Sequence, residues 1–173
     1  MAKIGLIGFG GIGIEAAKAL VQDPNLTCDI VAFDRKEAVE QVPGPQAGAY
    51  EELLDAIGIL QTGDSIKLTS DMQDLSGCDA IIFTAGLPRR ADQNRADLIG
   101  INVPIVGGLT RSLGEACRGA FMIMVTNPLD AMVELAYRNL DYPASHVVGQ
   151  AGVLDTGRFT IQAALATGQP ASV

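Results

Sequence analysis

The sequence predicts an α/β fold: a doubly wound parallel sheet with helices on both faces. Three observations carry this expectation. Apolar runs of strand length alternate with stretches of helical periodicity along the whole chain. Two of the runs, Cys78–Thr84 and Ala120–Val125, are apolar on both alternating faces, as strands covered by helices on both sides should be. Twenty glycines against 5% aromatics suit a fold made of tight turns and close backbone contacts.

The elements follow in order. Lys3–Ile7 reads as a short buried strand, and Gly11–Gln22 carries Ile12, Ala16, Ala19 and Leu20 at helical spacing. Asp29–Phe33 is a second strand, ended by the polar Asp34, Arg35 and Lys36. After the Pro43-Gly44-Pro45 break, Gln46–Leu60 is expected to be helical, with Tyr50, Leu53, Leu54 and Ile57 on one face. Ser65–Thr69 is a further strand candidate. Between the two long apolar runs, a polar loop from Pro88 to Asn94 leads into a helix reaching about Cys117. Pro128–Asn139 reads as a helix, His146–Val148 as a short strand and Leu154–Ala166 as a last helix. Such βα alternation implies right-handed crossovers and an open sheet.

Composition bounds the function. At 173 residues and 48% apolar, the chain can bury a core and is expected to form one main domain. Its net charge of −8, with no basic stripe, argues against nucleic acid as a partner. Cys28, Cys78 and Cys117 lack metal or disulfide spacing, which fits a reducing cytoplasm. The apolar start, Ile4–Ile14, is broken by five glycines and lacks the flanks of a secretory signal, and no stretch is long enough to span a bilayer.

Gly8-Phe9-Gly10-Gly11-Ile12-Gly13 fits G-x-G-x-x-G between a strand and a helix, the dinucleotide-binding fingerprint of a Rossmann-type unit. The first glycine allows the turn, the second lets backbone N–H groups approach a pyrophosphate, and the third lets helix and strand pack closely. Ile12 and Gly11 open the helix whose N-terminus faces the phosphates. Asp34 closes the next strand, where a carboxylate accepts from a ribose diol and repels a 2′-phosphate, so the pattern favours NAD over NADP. Arg35 keeps the NADP alternative open, since an arginine beside that ribose can accommodate the extra phosphate.

From Thr84-Ala85-Gly86-Leu87-Pro88-Arg89-Arg90 onward the chain resembles the NAD-dependent lactate/malate dehydrogenases, and the malate branch in particular. Val125-Thr126-Asn127-Pro128-Leu129-Asp130 is similar to the family's T-N-P-x-D turn. Gly149-Gln150-Ala151-Gly152-Val153-Leu154-Asp155-Thr156-Gly157-Arg158-Phe159 is similar to its G-x-x-G-x-L-D-[ST]-x-R-F segment. The resemblance implies that Arg89, on a mobile loop, pairs with the second carboxylate of a dicarboxylate such as malate or oxaloacetate, and that Arg158 grips the first. It places Arg95 at the reacting carbonyl and Asn127 at the substrate and cofactor, and it adds Thr84, Ala85, Gly86, Asn102 and Val125 as cofactor contacts. Two forked cations suit a dicarboxylate, because a bidentate pair fixes orientation as well as charge. The loop reads Arg90-Ala91-Asp92-Gln93-Asn94 where the family has K-P-G-x-S, which leaves other 2-oxo acids open.

In the family, Asp155 would orient a catalytic histidine in a G-x-H-G-[DE] segment downstream of Arg158, and no such segment occurs here. The sole histidine, His146, is expected to be a packing or surface residue. Residues 1–150 are therefore expected to form the NAD-binding domain, with 151–173 starting the helix that leads to a substrate domain. Two readings follow. Either the chain is the cofactor-binding half of an oligomeric oxidoreductase and lacks efficient turnover alone, or it is a stand-alone NAD-binding or assembly module. The exposed Phe159, Ile161 and Leu165 of the last helix are expected to favour self-association.

Overall fold

The structure is a computed structural model that describes residues 1–171, with the side chains of Arg95 and Glu115 outside the described set. The elements are β1 (Ala2–Ile7), α1 (Gly11–Gln22), β2 (Cys28–Phe33), α2 (Lys36–Val39), α3 (Pro45–Leu60) and β3 (Ser65–Thr69), followed by β4 (Ala80–Phe83), α4 (Arg95–Leu113), β5 (Phe121–Met124), α5 (Leu129–Leu140), β6 (Val147–Gly149) and α6 (Gly152–Thr167). The six strands among the described residues form one sheet in the order β3-β2-β1-β4-β5-β6. Every neighbouring pair is parallel. This is the doubly wound, Rossmann-type architecture, and its strand order reverses direction between β1 and β4.

Alternation along the central strands builds a core on each face. Ile4 and Leu6 of β1 and Ile30 and Ala32 of β2 pack under α1 and α3 with Ala17, Val21 and Leu53. Ile7, Val31 and Phe33 face the other way, joining Ile81, Phe83, Met122 and Met124 under α4 and α5. Each large side chain buried in full contributes about 1.5–3 kcal/mol, so these two layers dominate the stability. Gly5 belongs to the second face, where a Cβ would stand 2.5 Å from Ile81 Cδ1 and 2.8 Å from Leu75 Cδ2.

Several boundaries differ from expectation, for local reasons. The polar Lys36–Val39 forms a short helix, with Glu37 in its first turn. Strand β4 is shorter than its apolar run, because Cys78 belongs to the turn after the 3-10 helix Met72–Leu75 and its N–H donates to the Leu75 carbonyl. The helix expected to reach Cys117 ends at Leu113, since Gly114 takes φ +34° and starts a 3-10 turn. His146 lies in the 3-10 turn Ala144–His146 rather than in β6. Helix α6 stands apart from both cores and has no buried residue.

Candidate functional site

The turn from β1 into α1 is shaped by backbone. Gly8 has φ +94°, and a Cβ there would lie 2.6 Å from the Ala85 nitrogen; a Cβ on Gly13 would lie 2.0 Å from the Gly8 oxygen. That carbonyl accepts from Thr84 Oγ1 at 2.7 Å, and the Thr84 and Ala85 N–H groups both donate to the Ile7 carbonyl at 2.8 Å. Strand β4 therefore locks the turn from one side and α1 from the other. Gly10 and Gly11 are different, with nothing within 4 Å of where their Cβ atoms would be. The protein's own packing does not need glycine at these two positions. The N-cap Gly10 carries no side-chain cap, so the first N–H groups of α1 face that open space.

Asp34 lies at the mouth of the neighbouring strand. One carboxylate oxygen accepts the Phe9 N–H at 2.8 Å and the other the Arg35 N–H at 2.7 Å, while its own N–H donates to the Thr69 carbonyl at 3.1 Å. The first bond ties Asp34 to the glycine turn. Each oxygen retains a further lone pair, which suffices to accept from a diol. An open cradle before an uncapped helix end, with a carboxylate fixed beside it, fits a dinucleotide in both shape and donor set.

Beyond the turn, at the C-terminal ends of the strands and the point where strand order reverses, a cleft of about 1110 Å³ opens. Gly10, Gly11, Ile12, Thr84 and Gly86 line one side of it, and Val125 and Asn127 another. Arg89 and Asp155 also reach it. Sequence reasoning did not single out Thr126, Leu98 or Ala151, which line it too. Thr126 is nearly buried and its hydroxyl donates to the Ala85 carbonyl at 2.8 Å, joining the loops after β4 and β5.

Other expected site residues stand elsewhere. Asn102, expected at the cofactor, is behind the cleft wall at 1% exposure, and its amide is taken up by backbone groups of Leu87 and Asn127. Asp34 borders the turn without lining the cleft. Arg158 is not among the lining residues; its Nη1 is 3.2 Å from Asp155 Oδ1, in an exposed pair one turn apart on α6. The Arg95 side chain lies outside the described residues. His146 precedes β6, at the N-terminal end of the parallel strands and so at the opposite end from the cleft, with its ring centroid 6.3 Å from that of Phe121.

The three cysteines are buried free thiols, and burial is the first cause raising each to about 11, with Asp64 adding to the effect at Cys28. Raised in this way, the thiols stay protonated near neutral pH and pack as small apolar groups. No group of three or more potential metal ligands occurs among the described residues. No helix among them is long and apolar enough to cross a membrane.

Residues 2–149 match the family described as lactate/malate dehydrogenase, NAD binding domain. The malate dehydrogenase of Sorangium cellulosum is 39% identical over 159 residues, which are 92% of this chain and 49% of that protein. A crystal structure of malate dehydrogenase from Plasmodium falciparum superposes with a TM-score of 0.86 at 31% identity, covering 99% of this chain and 52% of the other. The lactate dehydrogenase of Cryptosporidium parvum, solved with lactic acid and nicotinamide adenine dinucleotide, gives 0.85 at 32% identity, covering 98% and 51%. The chain thus spans about half the length of the relatives it matches. With a glycine turn, a carboxylate-closed second strand and a cleft at the switch point in the positions that this match covers, the chain belongs to the lactate/malate dehydrogenase family, as its NAD-binding domain.

Proposed function

We propose that this chain holds NAD with the pyrophosphate against Gly10–Ile12, the adenosine ribose at Asp34 and the nicotinamide in the cleft, as the cofactor-binding part of an enzyme that interconverts malate and oxaloacetate. The observation that carries the proposal is the open pair Gly10 and Gly11 in front of an uncapped helix end, beside a carboxylate already fixed to the same turn. When bound, NAD supplies the hydride acceptor. The chain's residues supply binding and orientation. Backbone N–H groups of α1 meet the pyrophosphate charge, Asp34 accepts from the ribose, and Thr84, Gly86 and Val125 shape the wall beside the nicotinamide, with Ala85 behind it against Gly8.

The substrate end is less complete. Arg89 at the cleft offers a fork for one carboxylate of a dicarboxylate, Arg158 would turn from Asp155 to hold the other, Asn127 offers an amide and Arg95 a cation for the reacting carbonyl. Arginine and asparagine side chains do not accept a proton near neutral pH, and His146 is at the end of the strands away from the cleft. Asp155 is then the orienting carboxylate for a base that another segment brings. We therefore assign 1–150 to cofactor binding and 151–173 to the start of a following substrate unit, and we expect this chain alone to bind NAD without efficient turnover. The exposed apolar side of α6 supports assembly into a homo-oligomer, and the buried free thiols support a reducing, cytoplasmic setting.

Calorimetric titration with NAD and NADP tests the binding assignment. NAD is expected to bind more tightly, and Asp34→Ala to weaken NAD by about tenfold or more, as expected for loss of hydrogen bonds to a charged acceptor. Equal affinity for the two cofactors, or an unchanged NAD affinity in Asp34→Ala, contradicts it.

A further inference from the structure

We infer that Asn102 is a positioning residue that sets, from behind the cleft, the spacing of the two loops between which the nicotinamide end of the cofactor would lie. Its amide is engaged on both atoms. Oδ1 accepts the Leu87 N–H at 2.9 Å, and Nδ2 donates to the Leu87 carbonyl at 3.2 Å and to the Asn127 carbonyl at 2.7 Å. The partners fix which way the amide points, because an N–H needs the oxygen and two carbonyls need the nitrogen. With both amide hydrogens engaged, the side chain holds the wall rather than forming part of its surface.

The two residues it joins face the cleft from different loops. Leu87 belongs to the segment after β4, immediately before the exposed stretch that carries Arg89, and Asn127 follows β5. One side chain satisfies both backbone groups of Leu87, as a neighbouring strand would, so the chain leaves the sheet from a fixed point. A second tie runs parallel, from Thr126 Oγ1 to the Ala85 carbonyl at 2.8 Å. Between the two ties sits Gly86, where a Cβ would stand 2.5 Å from Thr126 Cγ2 and 3.2 Å from Asn102 Oδ1. The two loops are in contact at this seam, with no room for an added methyl.

The residue type follows from this geometry. Leu98, Asn102, Val106 and Thr110 are all buried and follow one another at four-residue intervals along the inner stripe of α4. An amide in such a stripe is costly to bury unless every group is paired, which here it is. Aspartate has the same shape but loses both donors and sets its oxygen against two carbonyls. Alanine leaves three backbone groups of the cleft wall unpaired.

The inference rests on the proposed placement of NAD, and it assigns Asn102 to the nicotinamide half only, since Asp34 serves the other end. Wild type, Asn102→Asp and Asn102→Gln are to be titrated with NAD and with ADP-ribose, which lacks the nicotinamide. Asn102→Asp is expected to weaken NAD by about tenfold, the usual consequence of leaving polar groups unpaired, while ADP-ribose changes by less than about twofold. Asn102→Gln, which keeps the amide chemistry one methylene further out, is expected to show the same selective loss in smaller measure, and it serves as the test if the aspartate variant does not fold. Equal weakening of both ligands, or no weakening of either, overturns the assignment.

A ligand-free measurement separates this inference from the placement of NAD. Amide hydrogen exchange at Leu87 is expected to accelerate in either variant while Ile30, in β2, keeps its protection. Unchanged exchange at Leu87 overturns the positioning role whether or not wild type binds NAD. Failure of wild type to bind NAD, with Leu87 exchange accelerated as expected, overturns the cofactor placement and leaves the clamp standing.

Discussion

The glycine turn and helix α6 are both rich in small residues, yet one is locked into the fold and the other is not. At the turn, Gly8, Gly13, Thr84 and Asp34 are held by short hydrogen bonds and close contacts, while Gly10 and Gly11 face open space. On α6, no residue is buried, Phe159 is 74% exposed and Leu165 73% exposed, and the ion pair Asp155–Arg158 lies at the surface. The difference teaches that contacts within this chain fix the glycine turn, whereas none of comparable closeness fixes α6 among the described residues. On the proposed reading, the groups for the cofactor are thus held by the chain's own contacts, while Asp155 and Arg158 stand on a helix that has no buried residue.

The comparison breaks most sharply at two glycines. Gly13→Ala drives a methyl into the Gly8 carbonyl and is expected to cost about 3 kcal/mol, the upper end for overpacking, read as a lower midpoint in denaturant. Gly11→Ala meets nothing and gains helix propensity, so stability should hold or rise by up to about 1 kcal/mol while NAD binding weakens. A Gly11 variant that binds NAD normally would show that the open space there is not the pyrophosphate cradle.

A smaller effect is expected in acid. Lys67, 2.6 Å away, and the Thr69 hydroxyl hold the Asp74 carboxyl below its ordinary 3.8. A carboxyl lowered on folding contributes its stability above its ordinary value and loses it as the pH falls through the folded one. Denaturant midpoints measured from roughly pH 5 down to pH 2 should therefore fall less steeply in Asp74→Asn than in wild type. Parallel curves would show that the pairing carries no such linkage.

The smallest effect belongs to α6. Asp155→Asn breaks an exposed pair and should change stability by less than about 0.5 kcal/mol, with NAD affinity unaltered. A larger loss in either would mean that α6 is already coupled to the rest of the site.

Much of this was legible in the chain because periodicity and glycine spacing are local signals. The strands β1 and β2, helix α1 and Asp34 follow from runs within one βαβ unit. The four-residue helix α2 was too short and polar to show a period. Tertiary contacts were not legible. That Asp34 accepts from Phe9 requires the two loops to meet, and nothing near either residue announces it. Asn102 left a faint trace, an amide on a stripe with Leu98 and Val106, which could have marked it as buried. Thr126 stands in the T-N-P-x-D turn, but nothing in that motif shows that its hydroxyl reaches the Ala85 carbonyl.

The most direct test takes one sample of the chain and records NADH binding by fluorescence and oxaloacetate-dependent NADH oxidation by absorbance. A finished cofactor end with an open substrate end predicts saturable NADH binding and oxidation at the background rate. Adding the second half of a homologous malate dehydrogenase should then raise that rate. Robust oxidation by the chain alone, abolished by His146→Ala, or no NADH binding at all, would contradict it.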